Sequence, residues 1–425
     1  MEKIRVGYPV KGWTKELIDG WNAAFDTLIP EVELDLSETG FITLFDWLTI
    51  VAMIEKVLTN PYVNAFNIDT KGTDTSNFIP LADFIAIEKK KSTMDYYSTN
   101  EIELSKRIYK SVGFIESLGT LDILNRRSKD GKVSYPGIKS EDVKKHQFYT
   151  RKEGNLGVLL GLTRIHLKDD CKQFLDDKRI RDWIQAMGNR FPESPLFETQ
   201  EVWRVLCHEF AVNIYEHAGI PGFISMRVVS PRDNKGTIHP WCRETYPSPH
   251  ISRLFDKKNN PDNHFLEICI GDAGKGFIET LTHAYKNYLR ENIITSNKKN
   301  ESEKIKNQDI VAFAFDELGT CKDANECLVT ERHALNRILY ITAQYGGVLV
   351  VRTGGVELIY SGEGEMFRKS PTGRGYISTH EQEIPGTIPG VQFQVILPLT
   401  PFTSTKDFAR RSALSISLPS TFHTD

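Results

Sequence analysis

The chain has 425 residues, of which 40% are hydrophobic and 26% are charged, and its formal net charge at pH 7 is -3. This length and composition are typical of a globular protein with two or three domains, and the balanced charge disfavours global attraction to nucleic acid or an anionic membrane. The apolar runs are too short to cross a bilayer, and the first residues lack the apolar segment of a secretion signal. Six scattered cysteines without a C-x-x-C pair disfavour a zinc ribbon or a disulfide framework and predict a cytoplasmic protein.

Strand and helix patterns alternate along the first 120 residues. Residues 32–36 and 63–68 have the composition and alternation of strands, whereas residues 44–58 and 101–118 have helical apolar spacing. Strands separated by helices predict a small α/β domain over residues 1–120.

A polar, basic stretch with Gly and Pro residues follows at 126–154. A charge run of this kind favours a solvated linker over a nucleic-acid patch. The pattern from 155 to 218 is mainly helical, with helices expected at 179–187 and 200–217. Residues 121–194 are therefore predicted to form a linker and a helical connector.

The rest of the chain predicts an α/β sandwich over residues 195–400, with a mixed sheet and helices on one face. Polar stretches at 291–308 and 318–331 suit a mobile lid, and the Ser/Thr-rich tail at 401–425 is expected to be frayed. The expected strands are 222–229, 265–270, 347–352, 356–360 and 391–397, and the expected helices are 278–291, 309–317 and 333–344.

The predicted helix at 200–217 carries polar side chains that could bind a metal ion or accept a proton. Glu209 and Asn213 are one turn apart on one face, and Glu216 and His217 continue along that edge. Asn is a neutral oxygen ligand that suits Mg²⁺, and a glutamate beside it can take a proton from water or a hydroxyl. A helix with a solvated polar face explains the same pattern. The spacing of its two histidines disfavours a protein-only zinc site.

A second segment follows an apolar strand and reads Asp272-Ala273-Gly274-Lys275-Gly276. An Asp at a strand end can accept a hydrogen bond from an exocyclic amine such as that of adenine, and glycines let backbone approach a ligand closely. An ordinary glycine turn is the alternative. Gly346-Gly347 and Gly386-Thr387 each precede a further strand, and no P-loop motif occurs in the chain.

In this order, the segments resemble the Bergerat-fold ATP-binding domain (GHKL, histidine-kinase-like). Glu209-x-x-x-Asn213 resembles its N box, which here is most similar to that of anti-sigma-factor serine kinases, and Asp272-x-Gly274-x-Gly276 resembles its first glycine box. The resemblance implies that Asn213 holds Mg²⁺ through the ATP phosphates, that Asp272 binds adenine and that Glu209 is the catalytic base. It places Glu216, His217, Gly274, Gly276 and Thr387 at the nucleotide.

The second glycine box of that family has no counterpart. The aligned stretch, 331–335, contains Arg332 and His333 and no glycine. Glycines there let backbone N–H groups reach phosphates. The two basic residues can supply side-chain donors instead, so we expect them to contact the nucleotide. The same departure fits an ATP-binding domain that turns over slowly or not at all.

The N-terminal 120 residues resemble a STAS-type domain, the fold of anti-anti-sigma factors. The matching stretch runs from Leu34 to the helix after Ile42, and Thr43 is the hydroxyl residue nearest the position where that family is phosphorylated. Together, the Bergerat-fold and STAS-type resemblances imply a regulatory protein whose C-terminal domain binds ATP and Mg²⁺, hydrolyses ATP slowly or phosphorylates a protein Ser/Thr, and acts on the N-terminal domain or a protein partner.

Two other functions stay open. One is a nucleotide-sensing or scaffold module without catalysis, and the other is an ATP-gated clamp on DNA, which the balanced charge disfavours. A regulatory protein partner is expected, and a homodimer is compatible with the sequence.

Overall fold

The structure is a computed structural model of the chain. The predicted helix at 101–118, the linker at 126–154 and the tail at 401–425 lie outside the described residues. The structure describes residues 3–7, 13–35, 43–69, 159–165, 178–198, 206–232, 236–256, 264–296, 305–315, 334–361 and 378–399. Within these ranges, positions 59, 61, 64, 208, 219–221, 239–245 and 247 are not described.

The N-terminal segment forms a small parallel sheet with two helices. The strands pair in the order β1-β2-β3, and both pairings are parallel. The predicted helix at 44–58 is confirmed with the same bounds, and the two predicted strands are confirmed to within two residues. The elements are β1 (Ile4–Gly7), α1 (Lys15–Phe25), β2 (Glu31–Asp35), α2 (Leu44–Leu58) and β3 (Ala65–Asp69).

Hydroxyl side chains fix where both helices begin. Thr14 has an extended backbone, and its Oγ1 accepts a hydrogen bond from the Leu17 N–H at 3.3 Å. Thr43 Oγ1 accepts from the Asp46 N–H at 2.9 Å. Each threonine thereby satisfies a backbone donor that the first helical turn leaves unpaired.

A second sheet has five strands in the order β4-β5-β6-β8-β7. All four pairings are antiparallel, so the predicted mixed sheet is wrong for the described strands. The cause is that β8 lies between β6 and β7 and runs antiparallel to both, so these pairings contain no parallel crossover. The strands are β4 (Leu159–Ile165), β5 (Gly222–Val229), β6 (Phe265–Gly271), β7 (Val348–Ser361) and β8 (Ser378–Pro398).

Two strands differ from the sequence prediction. β4 lies at 159–165, where a mainly helical pattern was expected, because antiparallel pairing with β5 outweighs an ambiguous apolar pattern. The strands predicted at 347–352 and 356–360 form one strand, β7, with irregular pairing at Thr353 and Gly354. Gly354 has φ +57°, which a glycine adopts without strain.

Most of the remaining helices pack against one face of the five-stranded sheet in a common apolar cluster. Within the predicted helix at 200–217, residues 209–213 form an α-helix that continues as a π-helical turn (Ile214–Ala218), and residues 200–205 lie outside the described part of the chain. The helix predicted at 278–291 extends five residues further. The helices are α3 (Lys178–Arg190), α4 (Pro195–Glu198), α5 (Glu209–Asn213), α6 (Pro249–Leu254), α7 (Phe277–Ser296), α8 (Asn307–Phe313) and α9 (Ala334–Gln344).

The N-terminal helices cover the opposite face of the same sheet, so the prediction of helices on one face is wrong. One apolar cluster joins α1 and α2 to side chains of β5, β6, β7 and β8, among them Phe265 and Ile396. α2 is buried around most of its circumference, as expected of a helix between two layers. Its buried residues are Leu44, Phe45, Leu48, Thr49, Ile50, Val51, Ala52, Met53, Ile54 and Val57.

A buried ion network also joins α2 to β7. Arg352, with a side chain 7% exposed, donates from Nη1 to Asp46 Oδ1 at 3.0 Å and to Thr49 Oγ1 at 2.9 Å. Its Nε and Nη2 donate to Glu357 Oε2 at 2.9 and 2.7 Å, and its guanidinium lies 4.3 Å from the centre of the Phe45 ring. The arginine is therefore paired and hydrogen-bonded, as a buried charge must be.

Within the described part of the chain, no helix combines the length and apolar character needed to cross a membrane.

Candidate functional site

Glu209 and Asn213 lie at the two ends of α5. The Asn213 Nδ2 group donates a hydrogen bond of 2.7 Å to the backbone carbonyl of Glu209, one turn earlier. This bond occupies the donor side of the amide, so Oδ1 is the atom that the side chain presents in the other direction. Phe210, Ala211 and Ile214 are buried against the sheet and hold the helix in place.

The Glu209 carboxylate meets a basic residue from α9. Arg337 Nη1 lies 3.4 Å from Glu209 Oε1, and the two side chains are 17% and 18% exposed. The proposed base is therefore half-buried and accompanied by a guanidinium.

Asp272 follows the last residue of β6 and is 3% exposed. Its Oδ1 accepts from the Gly274 N–H at 2.8 Å, which closes a tight turn. Its own N–H donates to the Val391 carbonyl at 3.1 Å, and its carbonyl accepts from Gln392 Nε2 at 3.0 Å. The turn is thus fixed to β8 by backbone and side chain together.

Burial makes the Asp272 carboxylate unusually costly to ionise. Desolvation raises its pKa from 3.8 to about 7, although the backbone N–H groups of Gly274 and Val391 oppose the shift by favouring the charged form. A buried carboxylate with a perturbed pKa at the end of a strand is a common feature of binding sites.

The two sequence motifs meet at Gly274 and Ala218. A Cβ placed on Gly274 would lie 1.9 Å from the Ala218 carbonyl oxygen, and the Lys275 N–H donates to that oxygen at 3.3 Å. Only a glycine permits this approach. The end of the π-helical turn that follows α5 is therefore held directly against the Asp272 turn.

Gly390 packs on Asp272, and Gly276 packs on Gly390 and Thr353, since a Cβ on Gly276 would lie 3.0 Å from the Gly390 carbonyl oxygen and 2.6 Å from Thr353 Oγ1. Gly390 has φ +69°, and a Cβ on it would lie 2.1 Å from the Asp272 carbonyl oxygen. Thr353 Oγ1 donates to the Gly390 carbonyl at 2.7 Å and accepts from the Phe277 N–H at 3.3 Å. β7, β8 and the start of α7 are thereby tied together beside the turn.

Gly274→Ala is expected to destabilise the protein, because the new methyl group must displace the backbone at Ala218. We expect a loss of about 2 kcal/mol or more in the free energy of unfolding, measured by urea denaturation. Gly20→Ala in α1 is the matched control, because a Cβ there meets nothing within 4 Å. That substitution should stabilise by about 0.5–1 kcal/mol. Equal effects of the two changes would contradict the contact.

The other predicted site residues lie in the π-helical turn, in β8 or outside the described part of the chain. Glu216 and a half-buried His217 lie in the π-helical turn. Thr387 is exposed and follows Gly386, which packs on Ile18 of α1, whereas Gly390 is the residue of β8 that abuts Asp272. Arg332 and His333 lie outside the described residues, as does most of the stretch predicted as a lid.

Sequence reasoning missed four residues at this site. Arg337 is the only charged residue of α9, and that isolation in an apolar helix is the signal that could have marked it. Gly390, Thr353 and Gln392 carry no comparable signal, because their roles depend on how β7 and β8 pair beside Asp272.

Within the described residues, no group of three or more His, Cys, Asp or Glu side chains is arranged to hold a metal ion. Comparisons of the chain with protein-family models, with curated proteins and with solved structures found no match.

Proposed function

We propose that the five-stranded sheet and its helices α3 to α9 form a Bergerat-type domain that binds ATP and Mg²⁺, in a protein that regulates a partner. The observation that supports this most is the contact of Gly274 with Ala218, because it joins the Asp272 turn to the segment that carries Glu209 and Asn213. The buried Asp272 carboxylate can accept a hydrogen bond from the exocyclic amine of adenine, and the glycine-lined turn fits the adenine ring.

Each residue has a distinct role in the proposed site. Asp272 accepts a hydrogen bond from the adenine amine, and Asn213 offers Oδ1 as an oxygen ligand. Mg²⁺, when bound, supplies neutralisation of phosphate charge. Glu209 accepts the proton of the attacking water or of a Ser/Thr hydroxyl on a protein substrate, so that the products are ADP with inorganic phosphate or with a phosphoprotein.

Two substitutions separate binding from turnover. Asn213→Ala is expected to abolish Mg-ATP binding, whereas Glu209→Ala is expected to keep binding and lose at least about a hundredfold in turnover, the usual contribution of a general base. Calorimetric titration with Mg-ATP and thin-layer analysis of labelled γ-phosphate measure the two effects.

The controls change the same residue types at exposed positions. Asn287→Ala removes an exposed asparagine of α7 that bonds a side chain one turn away, and Glu16→Ala removes an exposed glutamate from the first turn of α1. Neither should alter binding or turnover. A wild-type protein without affinity for ATP at millimolar Mg²⁺ would refute the proposal.

A nucleotide-sensing module without catalysis is the second candidate. The pairing of Glu209 with Arg337 favours it, because the guanidinium occupies the carboxylate that would otherwise contact the attacking water or hydroxyl. In this case ATP that stays bound through purification would be recovered unhydrolysed. Labelled γ-phosphate that reaches water or a candidate partner protein would exclude it.

A further inference from the structure

Arg337 occupies an unusual position for a charged side chain. It extends from α9, whose Leu335, Ile338 and Leu339 are buried, and its own side chain is 17% exposed. A half-buried guanidinium loses part of its hydration and needs anionic partners in exchange. Glu209 is such a partner in the structure.

The contact with Glu209 is loose. The distance of 3.4 Å between Arg337 Nη1 and Glu209 Oε1 exceeds the usual 2.7–3.2 Å of an N–H···O hydrogen bond. Because both side chains are partly exposed, an anion from solvent can reach the guanidinium. A more highly charged anion competes well for it, since arginine offers a planar set of donors that matches phosphate oxygens.

α5 and the π-helical turn after it connect the pair to the Asp272 turn. Glu209 begins α5, and Ala218 ends the following π-helical turn against Gly274. These nine residue steps span roughly 10–13 Å. A nucleotide whose base is bound at Asp272 and whose chain follows this helix brings its outer phosphates toward Glu209 and Arg337. This placement rests on the proposed function.

We propose that Arg337 binds the terminal phosphate of a nucleoside triphosphate and thereby discriminates ATP from ADP. Without nucleotide its guanidinium pairs with Glu209. When the terminal phosphate takes the guanidinium, the Glu209 carboxylate loses its ion pair with Arg337 and is left to contact the attacking water or hydroxyl. Arg337 supplies side-chain donors in a chain whose 331–335 stretch has no glycine for backbone donors.

Calorimetric titration of the full chain with the β,γ-imido analogue of ATP and with ADP, both with Mg²⁺, tests the proposal. Arg337→Met is expected to weaken binding of the triphosphate analogue by about ten- to a hundredfold, the value of a charge-assisted hydrogen bond, and to leave ADP binding unchanged. The affinity of Arg337→Lys for the triphosphate analogue should lie between those of the wild type and of Arg337→Met. Arg181→Met, at an exposed position of α3, is the control and should change neither affinity. An equal loss for both nucleotides would overturn the proposal.

Glu209→Gln gives a second test, which distinguishes phosphate binding by Arg337 from a purely structural role of this residue. Removal of the competing carboxylate charge should tighten binding of the triphosphate analogue, and the gain should vanish in the Glu209→Gln/Arg337→Met double variant. A gain that persists there reflects relief of charge repulsion alone and contradicts the proposal. Wild-type protein that binds neither nucleotide overturns the proposed function as well, whereas an unchanged ratio of the two affinities in Arg337→Met overturns only the role of Arg337.

Discussion

Arg352→Ala is expected to destabilise the protein by about 3–5 kcal/mol, the usual cost of removing one partner of a buried ion pair. The substitution leaves the carboxylates of Asp46 and Glu357 without the guanidinium that both contact, and it removes the contact with the Phe45 ring. Because Asp46 lies in α2 and Arg352 in β7, the loss weakens the packing of the N-terminal helices on the sheet. Urea denaturation measures the change.

Two comparisons make this expectation specific. Arg5→Ala removes an arginine that is 50% exposed and pairs with Glu33 and Asp35, so it should cost less than about 1 kcal/mol. The double variant Arg352→Ala/Asp46→Ala should be less destabilised than the sum of the single variants, because the two residues share one interaction. Strict additivity would show that the buried pair contributes nothing.

Asp272→Asn is expected to stabilise the protein at pH 8 while it weakens ATP binding. In the folded protein the Asp272 carboxyl has a pKa of about 7, against 3.8 for an ordinary Asp. Between these values the unfolded chain has released the proton and the folded protein retains it, so the free energy of unfolding falls as pH rises from about 4 to 7. An asparagine of the same shape removes this penalty, but its amide donor then faces the donor amine of adenine.

The measurement is the difference in free energy of unfolding between variant and wild type at pH 5 and at pH 8. This difference should shift in favour of the variant by about 2–3 kcal/mol between the two pH values. The reason is that about two of the pH units between the unfolded and folded pKa of Asp272 lie above pH 5, and each contributes about 1.4 kcal/mol. Asp26→Asn, at the exposed end of α1, is the matched control for the same change of residue type. A variant whose relative stability is the same at both pH values would show that the Asp272 carboxyl titrates normally.

Local patterns predicted the elements well, and long-range pairing explains most of the differences. α2, β5 and the buried Asp272 at the end of β6 are found where the sequence indicated, because apolar spacing and strand composition are local signals. The antiparallel pairing of β8 with β6 joins residues 121 to 133 positions apart, and the coverage of both sheet faces depends on contacts between still more distant segments such as α2 and β8. No window of the sequence contains that information.

In the candidate site, too, some features follow from local spacing and others from long-range packing. The i, i+4 spacing of Glu209 and Asn213 is a helix property, and the structure retains it through the bond from Asn213 Nδ2 to the Glu209 carbonyl. The pairing of Glu209 with Arg337 joins residues 128 positions apart, and the packing of Gly390 on Asp272 joins residues 118 apart. Neither follows from spacing, because both are set by how α9 and β8 lie on the sheet.

The strand order of the larger sheet constrains how the chain acquires its structure during synthesis. β8 is the last described strand to leave the ribosome, yet it lies between β6 and β7. Until residues 378–398 emerge, β6 presents an unpaired backbone edge, and α2 lacks part of the apolar surface that covers it. The packing of the N-terminal helices on the sheet is therefore complete only after the C-terminal strand has been made, and folding that depends on such long-range contacts is slow.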